Sequence, residues 1–180
     1  MLKIVILGTG NLAKHLHTAF TKANAIDITQ VVGRNQKELE QFSGHSSISN
    51  SFYSIADADV YLIAVKDDAI TEVSQHLLKK KGIVAHTSGA ISLKVIQHQN
   101  KGVFYPLQTF TKGKTVDFSP IPICIEAEEK ESLEILHKLA DSISENVHHI
   151  DSQQRKKLHL AGVFVNNFTN YLYSVGEAFC

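Results

Sequence analysis

The sequence contains little cysteine and carries no excess of charge. Two cysteines, Cys124 and Cys180, are too few for a disulfide framework, which favours a reducing compartment. Eighteen basic residues balance eighteen acidic ones, so the charge does not indicate nucleic acid or a membrane surface as the main partner. The apolar run 4–7 near the N-terminus is too short for a signal peptide. We therefore expect a cytoplasmic protein.

Short apolar runs alternate with helical periodicity through the first 150 residues. Strands are predicted at residues 2–7, 26–33, 59–65, 83–86, 102–105, 122–126 and 147–150. Helices are predicted at residues 11–23, 36–42, 68–78, 93–98 and 132–143. This alternation predicts an α/β fold, with a doubly wound, mostly parallel Rossmann sheet over residues 1–150.

The chain changes character after residue 150, because residues 158–176 contain no Asp, Glu, Lys or Arg. An uncharged stretch of this length is typical of a membrane span. However, polar side chains that are costly in lipid lie within it, namely His159, Asn166, Asn167, Asn170 and Ser174. We expect a long, buried helix instead. Residues 151–180 are predicted to begin an all-α C-terminal domain that is truncated here.

A glycine-rich segment follows the first predicted strand and opens the first predicted helix. It fits the G-x-G-x-x-G/A pattern of dinucleotide-binding loops. Gly8 permits the tight turn, Gly10 lets the backbone approach a pyrophosphate, and Ala13 allows close packing of the helix. Asn11 and Leu12 begin the helix, whose first amides face the phosphates. The alternative is a tight turn without a ligand.

The end of the second predicted strand lacks the Asp or Glu that binds a ribose 2′-hydroxyl in NAD sites. Arg34 stands there instead, and its planar fork of donors suits a 2′-phosphate. One charge-assisted hydrogen bond is worth about 1.5–3 kcal/mol, or roughly a ten- to hundredfold preference. The predicted cofactor is therefore NADP(H). The alternative is a solvated surface arginine.

Further candidates follow the other strands, at the edge where open α/β sheets bind ligands. They are Lys66, Asp67 and Asp68, then His86, Thr87, Ser88 and Gly89, then Pro106, Leu107, Gln108 and Thr109. We expect at least one of Asp67 and Asp68 to cap the next helix. His86 is either a catalytic acid or a structural histidine, and we favour the structural role. The histidine pairs at 15 and 17 and at 148 and 149 point to different faces, so no metal site is predicted.

One face of the last predicted helix is polar. It carries a charged side chain only near its start and uncharged polar groups from there on. At 100° per residue this face holds Ser152, Arg155, His159, Asn166, Asn170 and Tyr173. His159 is the leading candidate for a general acid, because an imidazole titrates near neutral pH. Asn166 would orient a carbonyl or carboxylate group of a substrate. The alternative is a polar contact between helices or subunits.

Five segments together resemble a known bacterial family. They are GTGNLA, AVKDDAI, HTSGA, YPLQTF and RKKLHLAGVFVNNF. Members of that family join a Rossmann-like NADP-binding domain to a helical C-terminal domain of unknown function. Its architecture is similar to those of pyrroline-5-carboxylate reductase, deazaflavin-dependent NADP reductase and the β-hydroxyacid dehydrogenases.

The resemblance implies an NADP-dependent oxidoreductase that transfers a hydride between NADPH and a small carbonyl or imine. It implies a phosphate loop at Gly8, Gly10, Asn11, Leu12 and Ala13, nicotinamide-side loops at Val65, Lys66, Thr87 and Ser88, and a homodimer formed through the C-terminal helices. The β-hydroxyacid dehydrogenases carry a lysine and an asparagine on the corresponding helix, where this sequence has His159 and Asn166. A non-catalytic NADP(H)-binding sensor or interaction module is the alternative function.

Overall fold

The computed structural model describes residues 1–179, and Cys180, the last residue of the predicted C-terminal unit, lies outside the described residues. One sheet organises the structure. Its strands are β1 (Leu2–Leu7), β2 (Ile26–Val32), β3 (Ser47–Ser49), β4 (Val60–Ile63), β5 (Ile83–His86), β6 (Lys101–Pro106), β7 (Ile123–Ala127) and β8 (Val147–His149). Their spatial order is β3-β2-β1-β4-β5-β6-β7-β8.

Six α-helices accompany the sheet in the described part of the chain. They are α1 (Asn11–Thr21), α2 (Gln36–Leu39), α3 (Ile70–Gln75), α4 (Lys130–Asp141), α5 (Ser152–Gly162) and α6 (Thr169–Glu177). Short 3₁₀ turns cover Glu40–Phe42, Asp67–Ala69 and Leu93–Val95, and a π-helical segment, Val163–Phe168, joins α5 to α6.

The six neighbouring strands β3, β2, β1, β4, β5 and β6 are all parallel, and β7 runs antiparallel to β6. The chain winds outward in one direction through β1, β2 and β3, and in the other direction from β4 onward. Strand order therefore reverses between β1 and β4, where an open parallel sheet leaves a crevice beyond its carboxyl ends. The predicted doubly wound, mostly parallel fold is confirmed.

The central strands are buried on both faces, as their unbroken apolar sequences predict. In β4, Val60 and Leu62 belong to the core that includes residues of α1 and α4. Tyr61 and Ile63 belong to the second core, which includes residues of α3. Helices thus cover both faces, and only the ends of the strands are free to meet a ligand.

Two local predictions are wrong. The helix expected at 93–98 is a single 3₁₀ turn. The His98 ring holds the chain that follows in a non-helical conformation. Its Nδ1 accepts from the Asn100 amide at 3.0 Å, and its Nε2 contacts the Lys80 carbonyl at 2.9 Å. Neither Asp67 nor Asp68 caps α3, because a 3₁₀ turn precedes that helix and places Ala69 at the capping position.

The C-terminal helical run differs from the predicted buried helix. It begins with a capping box, in which the Asp151 side chain accepts from the Gln154 amide and the Gln154 side chain accepts from the Asp151 amide. Further along, Leu160, Phe164 and Val165 are exposed. The prediction of burial is wrong for the described residues because no other element packs on this apolar surface. None of the described helices is long and apolar enough to cross a membrane.

Candidate active site

A crevice of about 760 Å³ opens where the strand order reverses. The residues that line it follow three neighbouring strands: 8–12 after β1, 33–35 after β2 and 64–66 after β4, together with Phe52, Asp68, Ala69, Glu72 and Val73. Predicted site residues Gly8, Gly10, Asn11, Leu12, Arg34, Val65 and Lys66 are therefore brought together here. Ala13 is fully buried beneath them, on the face of α1 that packs against the sheet.

The two glycines of the loop meet different requirements. Gly8 has φ of +130°, and a Cβ there would lie 2.1 Å from the Ala64 carbonyl oxygen, so only glycine fits this turn. A Cβ at Gly10 would meet no atom within 4 Å. Gly10 also precedes α1 without a side-chain cap, which leaves the first amides of an eleven-residue helix open to the crevice. This arrangement suits a pyrophosphate.

Arg34 lies in the crevice and is paired with an acid from another element. Its Nη2 is 2.8 Å from Oε1 of Glu72, on α3, and both side chains are about two-thirds exposed. The acid that is missing at the end of β2 is therefore supplied to the same region by α3. The next residue, Asn35, caps α2 by accepting from the Glu38 amide at 3.3 Å.

Thr87 and Ser88 do not line the crevice. Thr87 is buried, and its Oγ1 donates to the Ile63 carbonyl at 3.2 Å. Ser88 Oγ accepts from the amides of Ala90 and Ile91, both at 3.1 Å, which shapes the loop that follows β5. The hydroxyl groups of both residues are thus used within the chain.

His86 has the environment of a structural histidine. It is fully buried and lines neither the crevice nor the second cavity. Burial, and after it the nearby Arg155 cation, lowers the pKa of His86 to about 3, so the imidazole is neutral at physiological pH. Its Nδ1 accepts from the Ser88 amide at 3.2 Å.

A second cavity of about 220 Å³ contains the predicted catalytic residues. Its lining comprises Tyr105, Leu107, Gln108, Thr109, His159, Gly162, Val163, Asn166 and Asn167. His159 lies on α5 and Asn166 in the π-helical segment, so the structure brings both to one cavity. The Asn166 side-chain amide donates to Thr109 Oγ1 at 2.7 Å. Asn170 and Tyr173, on the same predicted face, are exposed and lie outside the lining.

Tyr105 is the direct partner of His159. The phenol oxygen and Nδ1 of His159 form a hydrogen bond of 2.9 Å, and the two rings meet edge to face. Burial raises the pKa of Tyr105 to about 12, so the phenol keeps its proton at physiological pH. Gly89 makes the contact possible, because a Cβ there would lie 2.6 Å from Tyr105 Cζ and 2.7 Å from the His159 ring.

The loop after β6 connects the two cavities. Leu107, Gln108 and Thr109 line the second cavity. The carbonyl oxygen of the next residue, Phe110, accepts from the Asn11 side-chain amide at 3.2 Å, and Asn11 lines the crevice. This hydrogen bond ties the phosphate loop to Phe110, the residue that follows Thr109 of the second cavity.

A buried ion pair anchors the start of α5. Arg155 is fully buried, and its Nη1 donates to Oε2 of Glu126 on β7. Its Nη2 donates to the Ile91 carbonyl at 2.6 Å, in the loop that also contains Gly89. Ser152 Oγ donates to Glu126 at 2.8 Å and accepts from the Leu93 amide at 3.0 Å. β7, the loop that follows β5 and the start of α5 therefore meet one helical turn before His159.

The sequence did not identify Tyr105 or Glu72 as members of the site, and Gly89, a candidate in the sequence, lies against Tyr105 and His159. One available signal was the phenol near the end of β6, directly before the loop considered as a candidate. The pairing of Glu72 with Arg34 had no local signal, because it depends on how α3 packs. Among residues 1–179, no group of three His, Cys, Asp or Glu side chains is arranged to hold a metal ion.

Comparison with known proteins identifies the family. Residues 3–89 match the family described as NADP oxidoreductase, coenzyme F420-dependent, and residues 121–180 match a domain of unknown function. A proposed NADP oxidoreductase from Bacteroides fragilis is 35% identical, over 97% of this chain and 70% of its own length, with a TM-score of 0.90. The chain belongs to the NADP oxidoreductase family. This membership confirms the predicted resemblance, the general oxidoreductase role and NADP(H) as the cofactor.

More distant relatives of this NADP oxidoreductase family member share the fold. A Thermotoga maritima protein is 22% identical, over 98% of this chain and 68% of its own, with a TM-score of 0.74. An imine reductase from Myxococcus stipitatus, in complex with NADP⁺, is 12% identical over 98% of this chain and 64% of its own, with a TM-score of 0.70. No curated protein matches the sequence.

Proposed function

We propose that the chain reduces a small carbonyl or imine compound with NADPH, and that His159 is the proton donor. The observation that carries this proposal is the connection of two cavities at one sheet edge. The crevice holds the glycine loop and Arg34, and the neighbouring cavity holds the His159–Tyr105 pair. The proposed division of labour is nucleotide binding by residues 1–150 and completion of the substrate site by residues 151–180.

The residues of the crevice fit NADP(H). The space beside Gly10 and the amides at the start of α1 would hold the pyrophosphate. Arg34 would bind the 2′-phosphate with its guanidinium fork. When bound, NADPH supplies the hydride. Val65 and Lys66, after β4, line the crevice nearby and fit the predicted nicotinamide side. Thr87 and Ser88 support that side through their loop hydrogen bonds.

His159 would supply the proton that accompanies the hydride. The phenol of Tyr105 can accept from a protonated Nδ1 or donate to a bare one, so it orients the ring in both protonation states. Nε2 is then the nitrogen left for the substrate. Nε2 would give its proton to the carbonyl oxygen or imine nitrogen, the atom that would receive the π electrons when the neighbouring carbon is reduced. Water returns that proton. Asn166 would orient the polar group of the substrate.

Nucleotide binding is tested by calorimetric titration of the purified chain with NADPH and with NADH. We expect NADPH to bind roughly ten- to hundredfold more tightly, and Arg34→Ser to remove that preference. Failure of both nucleotides to bind to a folded chain would overturn the proposed cofactor site.

Catalysis is tested by NADPH oxidation with a panel of carbonyl and imine compounds, including a deazaflavin because the family description names coenzyme F420. His159→Ala should reduce kcat about a hundredfold or more, since general acid catalysis contributes roughly that factor. Asn166→Ala and Tyr105→Phe should reduce it less. Tyr53→Phe is the matched control, because Tyr53 is exposed and lines neither cavity.

A non-catalytic sensor is the second candidate function, supported by the same crevice and by Arg34. Tight NADPH binding with no turnover across the panel would favour the sensor. Full activity of His159→Ala would instead show that the chain is an enzyme with a different proton donor.

We also propose that the chain forms a homodimer through its C-terminal helical run. This run exposes Leu160, Phe164, Val165, Phe168 and Leu172, and the rings of Phe164 and Phe168 stack with centroids 5.1 Å apart. Exposed apolar patches of this kind mark interaction surfaces. Light scattering should give twice the chain mass, and Phe164→Asp should shift the equilibrium to monomer. A monomeric wild-type chain at micromolar concentration would contradict the proposal.

A further inference from the structure

Glu72 stands opposite Arg34 in the cofactor crevice. Glu72 lies on α3 and Arg34 follows β2, so the pair crosses the part of the crevice where the two elements approach. Their side chains form an ion pair of 2.8 Å, and both line the crevice. A nucleotide that reaches Arg34 must therefore also meet the Glu72 carboxylate.

A carboxylate at this position affects the two nucleotides in opposite directions. It occupies the guanidinium that a 2′-phosphate needs, and it repels the phosphate charge. It can accept a hydrogen bond from a ribose 2′-hydroxyl, as acids in NAD sites do. Arg34 favours the phosphate and Glu72 favours the hydroxyl, so the affinities for the two nucleotides depend on both residues.

We infer that Glu72 is a specificity-determining residue that limits the preference of the site for NADPH over NADH. The inference rests on the proposed binding of the nucleotide in this crevice. The other charged residues that line the crevice are Lys66 and Asp68, and within residues 1–179 Arg34 pairs with Glu72 and not with Asp68. The effect of Glu72 on NADPH binding is therefore expected to act mainly through its contact with Arg34.

The expected change is moderate because both partners are about two-thirds exposed. Exposed ion pairs have small energies in water and are screened by salt. Glu72→Gln should strengthen NADPH binding about fivefold and weaken NADH binding about twofold, which raises the preference about tenfold. The gain should shrink at high salt.

Calorimetric titration of four forms of the chain tests the inference. They are the wild type, Glu72→Gln, Arg34→Ser and the double variant, each titrated with NADPH and with NADH. In the Arg34→Ser background, Glu72→Gln should change the NADPH affinity less than about twofold, because no guanidinium is left to release and only the screened repulsion between the carboxylate and the phosphate is relieved. Asp67→Asn is the matched control, since it removes a negative charge near α3 without lining the crevice.

The outcomes separate this inference from the proposed function. A rise in the NADPH preference for Glu72→Gln, absent from Asp67→Asn, supports the inference. An unchanged preference in a chain that binds NADPH would overturn the inference and leave the proposed function in place. An equal rise in Asp67→Asn would also overturn it, because the effect would then be one of overall charge. Absence of nucleotide binding by the wild-type chain would overturn both.

Discussion

The phenol oxygen of Tyr105 lies 2.9 Å from Nδ1 of His159, although 54 positions separate the two residues in the sequence. β6 supplies the phenol and α5 supplies the imidazole. Gly89, after β5, provides the space in which they meet. The proposed proton donor is thus assembled from three parts of the chain, and its geometry depends on how tightly they pack.

Gly89→Ala should impair turnover more than nucleotide binding. The added Cβ would lie 2.6 Å from Tyr105 and 2.7 Å from His159, so the pair must separate or shift. We expect kcat to fall about tenfold or more, with NADPH affinity within about twofold of wild type. Turnover and calorimetry measure the two effects. Gly44→Ala, where a Cβ meets no atom within 4 Å, is the control. Normal turnover in Gly89→Ala would show that the contact is dispensable.

The two glycines of the phosphate loop should respond differently to alanine. Gly8→Ala forces a Cβ into the Ala64 carbonyl at φ of +130°, and should cost about 3 kcal/mol or more of unfolding free energy. Gly10→Ala meets no protein atom, so stability should change by less than about 1 kcal/mol while NADPH affinity falls about tenfold or more. Urea unfolding and calorimetry distinguish these effects. Unchanged NADPH affinity in Gly10→Ala would argue against a pyrophosphate at this position.

Arg155→Met should destabilise the fold strongly. Arg155 is fully buried, and its loss leaves the Glu126 carboxylate, itself nearly buried, without its cation. Breaking such a pair from one side costs about 3–5 kcal/mol of unfolding free energy. Lys156→Met is the matched control. Lys156 is next to Arg155 in the sequence but is exposed, so this substitution should change stability by less than about 0.5 kcal/mol. Equal stabilities of the two variants in urea would refute the anchoring role of the ion pair.

Stability should decrease as the pH falls from 7 to 5. Burial lowers the pKa of His17 to about 4, with a further contribution from His45, and burial beside Arg155 lowers that of His86 to about 3. Unfolded histidines titrate near 6.5, so below that pH the unfolded state binds more protons and gains free energy relative to the folded state. The loss between pH 7 and 5 should be at most about 2 kcal/mol for each histidine.

Urea unfolding of His17→Asn at pH 7 and pH 5 tests the contribution of that residue. The variant should lose about half of the pH dependence, whereas His149→Asn, at an exposed position, should keep all of it. A pH dependence in His17→Asn equal to that of the wild type would show that His17 is not buried in its neutral form.

The sequence predicted features that depend on neighbouring residues. The bounds of β1 and β5 agree with the predicted strands, because an unbroken run of apolar residues is sufficient to indicate a buried parallel strand. The phosphate loop was also recognisable from residues close together in the sequence, since its turn, its helix start and its small residues lie within six consecutive positions. Where a segment is held by distant partners, as His98 is by Lys80, the predicted helix was wrong.

The sequence by itself therefore determined the Rossmann pattern and the glycine-rich loop, and it led to the prediction that Arg34 favours NADP. Only the tertiary structure decided which side chains meet: Tyr105 with His159, Glu72 with Arg34, and Arg155 with Glu126. The physical reason is distance along the chain. Local periodicity and turn chemistry are set by residues a few positions apart, whereas these pairs span 54, 38 and 29 positions and depend on strand order and helix packing.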